Sequence, residues 1–184
     1  VREAATVQKL AAALADSTVD LVRLTADIVI SENLTVSRSV TLDLNDHVVS
    51  MTGGLFTVTG RDVTLTLADN AEAKTAKKFK INETGVWTLD ETGDRTITGG
   101  VITGGIVYVD LFGYYDLDKD FGSGVLIDHG LAALTVTDVT INVPVKNQSG
   151  ILAGSGTFYG AVRNGSNYYD PGKGELGLDG KSYG

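Results

Sequence analysis

Hydrophobic and polar positions alternate in short bursts along this chain, and the bursts recur. Leu34-Thr35-Val36, three residues, then Val40-Thr41-Leu42-Asp43-Leu44 is answered by Phe56-Thr57-Val58, four residues, then Val63-Thr64-Leu65-Thr66-Leu67. A third copy follows later: Leu134-Thr135-Val136, two residues, then Val139-Thr140-Ile141-Asn142-Val143. Each copy predicts a short β-branched strand, a tight polar corner and a second alternating strand. From Thr35 to Thr57 is 22 residues and from Val40 to Val63 is 23. A recurrence of that length predicts stacked coils of a solenoid and argues against a compact sandwich.

Period-2 alternation sends Val40, Leu42, Leu44, Val63, Leu65, Leu67, Val139, Ile141 and Val143 inward. Thr41, Asp43, Thr64 and Thr66 then point outward. A strand buried on both faces would read as an unbroken apolar run, so the pattern predicts one dry face and one wet face. Register follows from the same pattern, since a slip of one residue would turn every valine and leucine to water.

Residues 6–15 form the one predicted helix. Val7, Leu10, Ala11 and Leu14 share a face, Gln8 and Lys9 point away, and the Thr6 hydroxyl is placed to cap the first turn. An amphipathic helix directly before a strand array covers the open edges and apolar end of the first coil. Strands Leu21–Leu24 and Ile28–Ile30 lead from it into the repeats.

Ala71–Lys80, with Lys74, Lys77, Lys78 and Lys80, breaks the rhythm and reads as a solvated excursion. Phe79-Lys80-Ile81 and Val86-Trp87-Thr88-Leu89 flank a hairpin turn at Glu83-Thr84-Gly85. Thr96–Ile102 is expected to resume the coil. Gly104–Asp128 is a second, aromatic and acidic excursion, and Gly150–Ala153 and Gly156–Gly160 are further strands. The expectation is one domain over 1–184, with excursions at 71–95 and 104–128 and a Gly-, Asn- and Tyr-rich tail over 163–184.

Composition narrows the function. A formal charge of −8 opposes nucleic acid and anionic membrane surfaces. No cysteine is present, which removes disulfides and thiolate metal sites. No apolar run is long enough to span a bilayer as a helix. The chain starts at Val1 without a leader and reads as a segment of a larger protein, with further domains expected beyond Gly184.

The helix at 6–15, the strands within Val22–Ile30 and the run Val40-Thr41-Leu42-Asp43-Leu44-Asn45-Asp46-His47-Val48-Val49 together resemble the opening of right-handed parallel β-helix domains in bacterial surface proteins of the pectin-lyase-like superfamily. Strands in such proteins commonly end in Leu-Asn-Gly-His, and here Asp46 stands in place of the glycine. The resemblance covers residues 6–67 well, 96–160 in part, and not 71–95 or the tail. It implies an all-β, right-handed parallel β-helix with an N-terminal capping helix, in an extracellular or cell-surface protein. The superfamily hosts lyases, hydrolases, adhesins and inert stalks alike.

The candidate chemistry is sparse. Asn45, Asp46 and His47 read as a polar corner, because asparagine tolerates left-handed backbone. Asp128-His129-Gly130 keeps only the His-Gly half of a polygalacturonase motif. Asp116, Asp118 and Asp120 make calcium the one candidate cofactor, but Phe121 and Ile127 occupy positions where a calcium loop needs glycine and a bidentate acid. Tyr108, Phe112, Tyr114, Tyr115 and Phe121 adjoin those carboxylates, a combination that suits stacking on sugar faces and bonding to hydroxyls. Packing of the same rings onto the coil is the competing account. Tyr114, Tyr115, Asp116 and Asp118 are the predicted ligand contacts, for a glycan or a host or matrix surface ligand. No catalytic residue is assigned. The function expected is a non-catalytic adhesive or spacer module, and the alternative is a lyase or hydrolase of uronic-acid polymers. The Thr-x-Thr units at 57–59, 64–66, 96–98 and 135–137 raise ice binding, but they are expected to fall at different places in the coil.

Overall fold

A computed structural model describes residues 1–83, 85–104, 123–128, 130–148, 150–160, 162–164, 167–170 and 175–176. The described residues are mostly β, with one short helix, three sheets whose central strands are parallel, and a fourth, three-stranded antiparallel sheet. The chain visits the first three in a fixed order. Leu21–Leu24, Ile28–Ile30 and Leu34–Val36 lie in the first, second and third sheets respectively. Val40–Asp43, Val48–Met51 and Gly54–Val58 repeat the circuit, and Thr64–Ala68, Val101–Thr103 and Ser123–Ile127 make a third. Ala133–Thr137, Thr140–Asn142 and Val145–Asn147 form the fourth coil, and Ile151–Gly154, Thr157–Phe158 and Val162–Asn164 the fifth. The architecture is all-β and solenoid-like, as the repeat predicts.

The inward residues of successive coils stack. Val22, Leu42, Leu67 and Val136 belong to the first sheet, Ile30 and Met51 to the second, and Val36, Val58 and Ile127 to the third; all are fully buried in one continuous core. Thr35 pairs with Thr57, so the 22-residue spacing is the true register of the third sheet. The 23-residue spacing is not. Val40 pairs with Leu65 and Leu42 with Leu67, a slip of two residues. Two residues is one full side-chain period, so the slip keeps every inward residue inward and the alternating pattern cannot detect it.

The third copy is also displaced. Leu34–Val36 and Phe56–Val58 lie in the third sheet, whereas Leu134–Val136 pairs with Leu65–Leu67 in the first. Its second half, around Thr140–Asn142, continues the second sheet against Val101–Thr103. All three faces of the coil ask for the same alternation, so the motif identifies a corner without saying which corner.

The helix spans Val7–Ala15, with the Thr6 hydroxyl accepting from the Lys9 amide at 3.3 Å. Leu10, Ala13 and Leu14 are buried against the first coil, as a cap requires. Arg38 closes its C-terminal end, donating to the Leu14 carbonyl from Nε and to the Ala13 carbonyl from Nη2, each at 3.0 Å. A strand absent from the sequence reading, Arg2–Ala4, pairs parallel with Val22–Leu24 and extends the first sheet beneath the helix.

Both excursions differ from expectation. Arg95–Thr98 does not resume the coil; it pairs antiparallel with Ala76–Ile81, and Trp87–Leu89 pairs on the other side. The departure therefore lasts through Thr98, and Val101 rejoins the second sheet. The lysine-rich segment is largely exposed, as a solvated excursion should be, but its strand also has one covered side, with Lys77 half-buried and Phe79 buried. Register puts Lys77, Phe79, Trp87 and Ile97 on one side of this three-stranded sheet. Phe79, Trp87 and Ile97 are buried with Val48 and Val101, the outward residues of the second sheet. The outer face of that sheet is thus dry where the hairpin lies on it. The second departure ends earlier than Asp128, because Ser123–Ile127 pairs with Gly54–Val58 and buries Val125 and Ile127 in the core.

Candidate functional site

The best-developed polar site lies where the chain turns from the first sheet to the second. In the second coil that turn is Leu44-Asn45-Asp46-His47. Asn45 and Asp46 adopt φ of 47° and 66°, the left-handed region. Asp46 thus holds a backbone conformation that glycine adopts more freely, at a conformational cost that its side chain must offset. The Asn45 side chain donates to the Leu24 carbonyl of the coil before, at 3.0 Å.

Aspartates from three coils converge here, each spent on backbone or cationic donors. Asp27 Oδ1 accepts from the Val48 amide at 2.8 Å and faces His47 Nδ1 at 3.3 Å. Asp43, expected to point to water, is fully buried. Alternation does put it on the outer face, but the start of the excursion covers it. Its Oδ1 accepts from the amides of Asn45 and Asn70, and its Oδ2 from Arg23 Nε at 3.0 Å. Asp69 accepts from the Asp46 amide on one oxygen and the Gly100 amide on the other, both at 2.8 Å, with Lys74 Nζ at 3.4 Å.

Asp46 holds the root of the excursion. Its Oδ1 accepts from Lys77 Nζ at 2.6 Å and the Thr75 amide at 3.0 Å, and its Oδ2 from the Thr75 hydroxyl at 2.6 Å. Burial pushes its pKa up, but the hydrogen bonds from Lys77 and Thr75 and the Lys77 charge outweigh this and hold it below the ordinary aspartate value. A carboxyl so held is ionised at neutral pH and cannot donate a proton to a leaving group.

Beside this network runs an open groove of about 540 Å³, lined by Arg23, Asn45, Asp46, His47 and the segment 70–73. Arg23, whose Nε is used on Asp43, and His47 are the titratable nitrogen groups among its lining residues. Among the described residues, no group of three or more acidic, histidine or cysteine side chains is arranged to hold a metal ion.

The sequence-predicted contacts Tyr114, Tyr115, Asp116 and Asp118 lie outside the described residues, as do Tyr108, Phe112, Asp120, Phe121 and His129. The described residues on either side of the segment that carries the loop residues include the strand ends Thr103 and Ser123, which are buried. Asp128 and Gly130, which flank His129, are exposed. Asn45, Asp46 and His47 do come together, in the structural role expected of a corner.

The family model for a putative pectate lyase-like adhesive domain matches residues 1–111. The chain belongs to this family. No curated protein and no solved structure matches it. The region matched to the pectate lyase-like adhesive domain takes in the helix, the first two coils, the corner network and the antiparallel hairpin. Among the described residues no helix is long and apolar enough to cross a membrane.

Two contacts among the described residues are not anticipated by the local sequence pattern around each partner. One is the pairing of Asp46 with Lys77, 31 residues apart. The other is a contact of Trp87 and Arg95 with Tyr159. The lysine run was the available signal for the first, because lysines alternating with apolar residues at 77–81 mark a strand with a buried side.

Proposed function

We propose that this chain is a right-handed parallel β-helix serving as a non-catalytic module of an extracellular or cell-surface protein, adhesive or spacing in role. The handedness follows from the strong preference of parallel crossovers for the right hand. The observation that carries the reading is the state of the corner carboxylates. Asp43, Asp46 and Asp69 are occupied by amides, Arg23, Lys74 and Lys77, so the acids that a groove enzyme would use are spent on holding coils together. The family's adhesive description supports the same reading.

Recognition is assigned to the insertion between Gly104 and Ser123, with Tyr114, Tyr115, Asp116 and Asp118 as glycan contacts. Long insertions on a rigid scaffold are where binding residues concentrate. The test is a glycan array with and without calcium, comparing the wild type with a Tyr114→Ala, Tyr115→Ala double variant. Binding by the wild type that the folded variant loses supports the assignment, and a wild type that binds no glycan sinks it.

The competing function is cleavage of uronic-acid polymers, favoured by His47, Asp27 and Arg23 standing together beside the groove. Incubation with such polymers, with and without calcium, separates the two. Turnover abolished by His47→Ala or by Asp116→Asn would replace the adhesive reading with an enzymatic one.

A further inference from the structure

The antiparallel hairpin touches more than the coil it grows from. At its root, Lys77 is fixed to Asp46 of the second coil. In its middle, Phe79, Trp87 and Ile97 pack on Val48 of the second coil and Val101 of the third. Asn142 of the fourth coil reaches the Gly85 carbonyl at 3.4 Å. At the far side the Trp87 ring lies 4.9 Å from the ring of Tyr159, which follows the second-sheet strand of the fifth coil. The Arg95 guanidinium sits 5.2 Å from the first ring centroid and 5.0 Å from the second.

In a stack of coils each unit contacts only its neighbours, so the last ones open independently of the rest. The fifth coil needs help. Its first-sheet strand, Ile151–Gly154, is exposed at three of four positions, Ile151 at 56%. It buries too little apolar surface to hold itself firmly.

We infer that the hairpin is a strap that fastens the fifth coil to the second through the Trp87–Arg95–Tyr159 contact, making the opening of the fifth coil cooperative with the coils before it. Ring pairs and cation–π contacts suit the task, since their attraction survives in a half-exposed setting where a lone ion pair would be screened. The strap operates whatever ligand the module carries. It gives an adhesive or spacer domain a fifth coil that does not open independently of the second under load.

Hydrogen–deuterium exchange tests this on the full chain. The reporters are the Thr157 and Tyr159 amides, which donate to the carbonyls of Val139 and Ile141. Arg95→Ala and Trp87→Leu change the strap without touching the fifth coil itself. Each is expected to speed exchange over 151–160 about tenfold, with Leu21–Val36 of the first coil unchanged. Trp87→Phe, which keeps a ring, should restore part of the protection. Unchanged exchange over 151–160 in both variants, or equal acceleration in every coil, overturns the inference. A hairpin that unfolds outright in Trp87→Leu still decides the matter, because the fifth coil must then lose protection while Leu21–Val36 of the first coil, which makes none of the contacts above, keeps it.

Discussion

Lys77 Nζ lies 2.6 Å from Asp46 Oδ1, and the two side chains are only 12% and 16% exposed, at the point where the hairpin leaves the coil. Asp46 performs two tasks that are separable by substitution. Its backbone must hold φ at 66°, and its carboxylate must hold Thr75 and Lys77. Asp46→Gly keeps the first and loses the second, and is expected to cost roughly 2–3 kcal/mol, as loss of charge-assisted bonds in a mostly buried setting does. Asp46→Ala loses both and should cost about 1 kcal/mol more. Urea midpoints of the two variants check the order. An alanine variant as stable as the glycine one would show that the left-handed conformation is not retained.

The same pair gives acid stability a definite sign. Because hydrogen bonding depresses the folded-state pKa of Asp46 below the ordinary aspartate value, its contribution is complete above the unfolded value and is lost as pH falls through the folded one. Asp16 and Asp90 act in the same direction, each held down first by the hydroxyl of a threonine two residues on, Thr18 and Thr92. Denaturation midpoints at pH 6, 4 and 3 should therefore decline for the wild type. Asp46→Asn should be less stable at pH 6 and decline less steeply, the two curves converging at low pH. Parallel curves would mean that the ion pair contributes nothing to folding.

What the chain declared in advance was its local grammar. The Thr35 to Thr57 spacing is a register, the Thr6 cap is a cap, and Leu42 and Leu65 are core. What it withheld was phase, because three equivalent faces ask for one pattern. That is how Leu134–Val136 came to lie on Leu65–Leu67 and how Thr66 and Thr135 became direct neighbours, with Thr41 beside them. Thr57 and Thr96 lie in two other sheets, so the four Thr-x-Thr units still do not form one face. Contacts between distant segments were equally invisible. Nothing local to Trp87 announces Tyr159, and nothing local to Asp46 announces Lys77.

Core truncation should follow burial and not the apparent repeat. Leu42 and Leu65 are fully buried in central strands of the first sheet, and alanine at either is expected to cost about 2–5 kcal/mol. Val63 matches Val40 in the sequence repeat, yet it falls just before the Thr64–Ala68 strand and is 6% exposed. Val63→Ala should cost less than either leucine, by chemical denaturation. Equal losses at all three would restore the 23-residue register.

Gly54 tests the corner between the second and third sheets. It opens the strand Gly54–Val58 with φ at 73°, and a Cβ there would stand 2.3 Å from the carbonyl carbon of Glu32 and 2.5 Å from its oxygen. Those atoms are backbone of the preceding coil, so no rotamer change relieves the overlap; the coils must move apart. Gly85 has a similar φ of 82° but open space where its Cβ would go. The comparison separates strain from collision. Gly85→Ala bears the left-handed penalty alone, about 1 kcal/mol. Gly54→Ala adds a backbone clash in the stacked core and is expected to cost roughly 3 kcal/mol or more. Paired urea melts measure the difference directly. If the two variants lose the same stability, the coils at Glu32 and Gly54 are not stacked as closely as described, and the corner has room that the structure denies it.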